Sequence, residues 1–166
     1  MIEKLKRLIT DYRTELIRFA KFLVVGTIGA FVDFGILYIL HAVLHWHLAL
    51  ANTISFTTAV LSNFTWNRYW TYPDSRSKPI TAQLGQFFLV NVIGWGINTG
   101  ILLALNVPLT NLVGNLHIVA TAETAHKIGY NAAKVIATGV VLFWNFFVNR
   151  FWTYSDVGKP QPASVD

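Results

Sequence analysis

Apolar residues dominate this chain in long continuous stretches and do not alternate strictly with polar ones. The stretches cover about 19–44, 48–66, 84–107 and 132–151. Roughly 20 mostly apolar residues suffice for a helix to cross a bilayer. The pattern therefore predicts an all-α membrane protein with four transmembrane helices. A membrane barrel would instead show short segments of alternating apolarity. Ahead of the first stretch, Ile2, Leu5, Leu8, Ile9, Tyr12 and Leu16 recur at helical spacing beside Lys4, Lys6, Arg7 and Arg13. Segment 1–17 reads as an amphipathic helix lying on the membrane surface, or as a continuation of the first span into water.

Composition supports lipid as the solvent. Hydrophobic residues make up 54% of the 166 and charged residues 13%, about half the charged share of a soluble domain. The chain has no cysteine, which excludes disulfides and thiolate metal sites. His41, His45 and His47 lack a nearby carboxylate to complete a ligand set, so no metal is expected. No small-residue cleavage site follows the first apolar run, and the first span is expected to be retained.

The placement of Lys and Arg predicts orientation. Of the 13 such residues, Lys4, Lys6, Arg7, Arg13, Arg18, Lys21, Arg68, Arg76, Lys78, Arg150 and Lys159 fall on one side, against Lys127 and Lys134 on the other. Both termini are thus expected in the cytoplasm, with 155–166 a disordered cytoplasmic tail. The net charge of +5 follows this membrane rule and is no nucleic-acid footprint.

One motif is written twice. Residues 63–72 read NFTWNRYWTY and residues 145–154 read NFFVNRFWTY, identical at seven of ten positions. Shifted by 65, the first and third apolar stretches also align: Phe22 with Phe87, Val25 with Val90, Gly29 with Gly94, Asp33 with Asn98. The chain reads as two copies of one helical hairpin, about 18–72 and 84–154, with the extra residues of the second copy in an outer connection over 107–130. Because both copies begin and end on the same side, they form a parallel repeat.

Several residues are candidates for chemistry. Arg68 and Arg150, each preceded by an asparagine (Asn67, Asn149), are either membrane anchors or a paired anion site, since guanidinium forks match phosphate oxygens. Asn63 and Asn145, one turn deeper, are either interhelical glue or part of a polar pathway. Asp33 lies in the outer half of the first span and Lys134 opens the fourth, so a salt bridge between them is depth-compatible. An intramembrane ionisable residue also reads as functional by default. Trp70, Tyr72, Trp152 and Tyr154 are expected at headgroup level. Gly26, Gly29, Gly35, Gly94, Gly96 and Gly100 permit close helix approach. No nucleophile elbow, phosphate loop or carboxylate pair points to an enzyme.

Arg-Phe-Ala-Lys-Phe-Leu-Val-Val-Gly at 18–26, the doubled Asn-Phe…Asn-Arg…Trp-Thr-Tyr exit, and Ala-Ala-Lys-Val-Ile-Ala-Thr around Lys134 together resemble the GtrA-like family over about 18–154. The resemblance implies the movement of a polyprenyl-phosphate-linked monosaccharide across the cytoplasmic membrane for cell-surface polysaccharide synthesis. A separate glycosyltransferase loads the lipid on the inner face. It further implies phosphate or headgroup contacts at Arg68, Arg150, Asn67, Asn149 and Lys134, and a polar route past Asp33, Asn98, Asn63 and Asn145, with no cofactor. A homodimer would supply more surface. The alternative is an adaptor that recruits a glycosyltransferase and moves no lipid.

Overall fold

The computed structural model describes residues 2–116 and 121–157. Four helices make up most of the described chain: α1 (Ile2–Leu37), α2 (Leu48–Trp66), α3 (Ile80–Asn115) and α4 (Ala122–Val148). Three helical stretches, Tyr12–Val43, Ile80–Asn115 and Ala122–Thr153, are long and apolar enough to cross a membrane. Their outward side chains fit lipid: Phe31 is 75% exposed and Leu103 74%. In water such a surface would drive association.

Helix α2 differs in composition. Its 19 residues include Asn52, Thr53, Ser55, Thr57, Thr58, Ser62, Asn63 and Thr65 and carry no charge. The threonine hydroxyls of Thr53, Thr57, Thr58 and Thr65 donate to carbonyls four residues back, at 2.7–2.8 Å. Those polar atoms are satisfied inside the helix, as an apolar medium requires.

The helices outrun their sequence-expected limits. No break separates segment 1–17 from the first span; α1 is continuous for 36 residues. Ile9, Tyr12 and Leu16 of its apolar stripe are exposed. The side chains of Ile2, Leu5 and Leu8 lie outside the described ones. Most of the expected outer connection over 107–130 is helical: α3 extends to Asn115 and α4 begins at Ala122, capped by the Thr121 hydroxyl. The expected disordered tail needs correction at its start. Residues 155–157 are placed, with Asp156 buried, because hydrogen bonds tie it down; residues 158–166 lie outside the described chain.

Three helices close in π-helical turns: α1 as Tyr38–Val43, α2 as Asn67–Thr71 and α4 as Asn149–Thr153. After the first, His45 takes a left-handed conformation (φ 56°). His41 Nδ1 pairs with the Trp46 carbonyl at 2.9 Å, and His47 Nδ1 accepts the Ala49 N–H at 3.3 Å. These histidines turn the chain into α2.

The chain divides into two compact units. The first holds everything up to Leu84 plus the segment from Tyr154, and the second is Gly85–Thr153. In the first, α2 buries Ala51, Ser55, Ala59, Val60 and Phe64, a stripe at helical spacing. The Asn63 carboxamide fills the space that a Cβ on Gly29 would need. In the second, α4 buries Ala125, Gly129, Ala133 and Ala137 at spacings of four, and a Cβ on Gly129 would stand 2.6 Å from Thr110 Cα. Such small-residue stripes let backbones approach closely. There the Trp144 indole donates to Val90 O at 3.2 Å, and a Cβ on Gly94 would lie 2.9 Å from Asn145 Oδ1. Gly26, Gly35, Gly96 and Gly100 have no such role: a Cβ on any of them would meet nothing within 4 Å among the described residues.

Candidate functional site

A π turn holds more residues per turn than an α turn, so it changes which side chains face inward. At the end of α2 the Tyr72 N–H reaches back five residues to Asn67 O at 2.8 Å. Asn67, Arg68, Thr71 and Tyr72 are all buried as a result, while Tyr69 and Trp70 face out. The second copy repeats the pattern: Asn149, Thr153 and Tyr154 are buried, and Phe151 and Trp152 are exposed. Burial inside the protein distinguishes the two tyrosines from the tryptophans of the same motif. The two tyrosines are fully buried and stacked on each other within the first unit, ring centroids 4.4 Å apart and 18° from parallel. Trp70 and Trp152 are exposed. Lys21 donates to Trp70 O at 3.1 Å and lies 5.4 Å from its ring centre.

Arg68 is the centre of the first unit's polar cluster. It is only 8% exposed. Its Nη1 donates to Gln83 Oε1 and, at 3.5 Å, to Ser75 O. Its Nε has no hydrogen-bond partner among the described residues, and no carboxylate among them lies within ion-pair distance of it. A buried cation without a counter-charge is costly unless something else meets it.

Gln83 passes the link onward. Its Nε2 donates to Ser75 O at 3.2 Å, Ser75 Oγ at 2.9 Å and Asp156 Oδ1 at 3.3 Å. Asp156 Oδ1 also accepts from Ser75 Oγ. Its Oδ2 accepts from Ser77 N and Ser77 Oγ, both at 2.8 Å, and from Lys78 N at 3.1 Å. Burial alone would raise the Asp156 pKa. The hydrogen bonds from Ser75, Ser77 and Lys78 outweigh it and hold the group at about 2. Burial pushes the Tyr154 phenol well above its ordinary value; Tyr72 adds to this and the Arg68 charge opposes it. The phenol therefore remains an O–H donor, and its oxygen has no partner among the described residues.

The remaining expected site residues are spread over the fold. Asn67 is buried with its Oδ1 unpartnered, as is Thr71 Oγ1. Asn149 is internally satisfied: its Nδ2 donates to Asn145 O at 2.7 Å and its Oδ1 accepts from Thr153 at 2.8 Å. Arg150 is half-buried in the second unit, its guanidinium 5.4 Å from the Phe151 ring centre. Asn63 Oδ1 and Asn145 Oδ1 are buried without hydrogen-bond partners among the described residues, each packed on a glycine, Gly29 and Gly94. Asp33 Oδ1, in the first unit, is likewise unpartnered. Asn98 is half-buried in α3. Lys134 is exposed in the second unit, 5.9 Å from the Tyr130 ring centre.

Sequence reasoning missed Ser75, Gln83 and Asp156, although a signal existed. The doubled motif extends two residues beyond its tyrosines, to Tyr72-Pro73-Asp74 and Tyr154-Ser155-Asp156. Both aspartates act as clasps. Arg18 donates to Asp74 at 2.9 Å, and Gln83, which is Arg18 shifted by 65, donates to Asp156.

The profile of the GtrA/DPMS transmembrane domain matches residues 21–154. A relative in Bacillus subtilis (strain 168), named an uncharacterized membrane protein YngA, is 28% identical over 138 residues, 82% of this chain and 78% of its own.

Proposed function

The chain belongs to the GtrA/DPMS transmembrane-domain family, and on that premise we propose that it translocates a polyprenyl-phosphate-linked monosaccharide across the cytoplasmic membrane for cell-surface polysaccharide synthesis. Membership points to the handling of lipid-linked sugars. One observation carries the finer reading: the buried Arg68 guanidinium, with Nε unpartnered and no carboxylate beside it among the described residues. It suits the one feature that every such lipid shares, a phosphate ester.

In this reading α2 is the fourth span. Its length is about 28 Å at 1.5 Å per residue, and the hydroxyls of Thr53, Ser55, Thr57, Thr58 and Thr65 are satisfied within it. The two hairpins are parallel repeats with both termini in the cytoplasm. Repetition is supported by the matched Gly29–Asn63 and Gly94–Asn145 pairs, one in each unit. The phosphate starts at Arg68, with Asn67 beside it and Arg150 and Asn149 as the second copy's counterparts. The sugar passes Asn63, Asn145, Asn98 and Asp33, and Lys134 meets the phosphate near the outer side. The isoprenoid tail stays in lipid. A glycosyltransferase supplies the loaded lipid, and a second copy of the chain is a further partner.

The test is reconstitution. Vesicles with the protein should move a polyprenyl-phosphate-linked sugar between leaflets faster than empty vesicles. Arg68→Ala should slow that movement by about tenfold or more, the order expected for losing a charge-assisted contact. Equal rates with and without protein would contradict translocation and favour an adaptor that recruits the glycosyltransferase.

A further inference from the structure

Five donors converge on one carboxylate at the start of α3. Two are consecutive backbone N–H groups, of Ser77 and Lys78; two are the hydroxyls of Ser75 and Ser77; one is the Gln83 amide. Consecutive backbone N–H groups with hydroxyls around them make an anion-binding concavity. Gln83 and Ser75 also hold Arg68, which is nine-tenths buried with Nε unpartnered. A carboxylate brings two oxygens and one charge to this cluster and leaves the guanidinium without an ion pair. A phosphate ester brings more acceptor oxygens and would complete it.

We propose that the Ser75–Lys78 loop, Gln83 and Arg68 form a phosphate cradle and that Asp156 is its tethered occupant, displaced when a phosphate-ester headgroup binds. The clasp is a latch: the chain after the second motif copy holds the anion place until a lipid phosphate takes it. This rests on the reading of Arg68 as a phosphate ligand. The occupant belongs to the same chain, so it competes at a high effective concentration, and removing its charge releases the site.

The test uses the full chain in phosphatidylcholine nanodiscs, titrated with undecaprenyl monophosphate, with undecaprenol and inorganic phosphate as separate probes. Asp156→Asn should tighten undecaprenyl monophosphate binding by about tenfold and leave undecaprenol unaffected. Adding Gln83→Leu or Ser77→Ala should reverse that gain. In the wild type, the lipid should increase hydrogen exchange at the Val157 amide, which donates to Tyr154 O at 3.3 Å, while Ser77 and Lys78 stay protected. Unchanged or weaker binding in a folded Asp156→Asn variant would overturn the latch. If that variant does not fold, the wild-type exchange measurement decides: no increase at Val157 overturns it. Release by inorganic phosphate as well as by the lipid would confirm the cradle and make its ligand the phosphate group itself. The latch and translocation fail separately. Asp156-dependent phosphate binding without lipid movement contradicts translocation alone, and lipid movement indifferent to Asp156→Asn contradicts the latch alone.

Discussion

The two copies of the repeated motif share their letters and differ in how far their polar atoms are satisfied. In the second copy, Thr153 donates to Asn149 Oδ1 and Asn149 donates to Asn145 O. In the first, Asn67 Oδ1 and Thr71 Oγ1 are both buried and unpartnered among the described residues. Arg150 is half-buried beside Phe151, whereas Arg68 is buried among Gln83 and Ser75. Asp74 takes an arginine and stays partly exposed, and Asp156 is 2% exposed and takes neutral donors. Duplication thus supplies a frame, the π turn with its inward asparagine, threonine and tyrosine. At the inner asparagine and threonine the first copy leaves oxygens open that the second closes, while the deeper Asn63 and Asn145 Oδ1 atoms are open in both. Open buried polar atoms are costly without a ligand, and this favours Arg68 over Arg150 as the proposed phosphate contact.

The largest effect that separates the copies should come from the glycines. Gly29→Ala overlaps the Asn63 carboxamide deeply, and Gly94→Ala clashes less, 2.9 Å from Asn145 Oδ1 and 3.3 Å from Val141 Cγ1. Gly29→Ala should cost about 1–3 kcal/mol and Gly94→Ala less, measured by unfolding in detergent. Asn63→Ala should relieve the first cost in a double-mutant cycle. Equal costs at both glycines would remove the difference between the two helix pairs.

Next comes acid. The folded pKa of Asp156, about 2, lies below its ordinary 3.8. Its contribution to stability is therefore fully present above about pH 4 and is lost as pH falls through the folded value. Melting temperatures of Asp156→Asn should lie below wild type at neutral pH and converge with it towards pH 2. A constant gap across that range would contradict the hydrogen-bonded carboxylate.

The smallest effect is the most direct comparison of the copies. Thr153→Val removes a hydroxyl that donates at 2.8 Å and should cost about 1 kcal/mol. Thr71→Val removes an unpartnered buried hydroxyl and should be neutral or stabilising. Thermal shifts of equal size would show that the first copy is as closed as the second.

The helical, membrane-spanning character of the chain was legible because long apolar runs report it regardless of detail. The matched places of Asn63 and Asn145 were legible as well, because the motif repeats in the letters; that each packs on a glycine, Gly29 and Gly94, was not. Helix ends were not. The apolar runs stop near 107 and resume near 132, but α3 continues against propensity through Pro108, Thr110, Asn111 and Gly114 to Asn115, and α4 begins at Ala122 with the good helix formers Glu123, Ala125 and Lys127. The burial of Tyr72 and Tyr154 was not legible, because a π turn changes which side chains face inward and leaves no mark in the letters. Gln83 and Asp156 looked like a loop flank and a tail. Only the folded chain shows that they share hydrogen bonds.

The most direct test of the central claim compares undecaprenyl monophosphate retained by wild type, Arg68→Ala and Arg150→Ala in native mass spectrometry. Arg68→Ala should lose the lipid by about tenfold or more, and Arg150→Ala should lose clearly less. Equal loss from both variants, or none from Arg68→Ala, would contradict the claim.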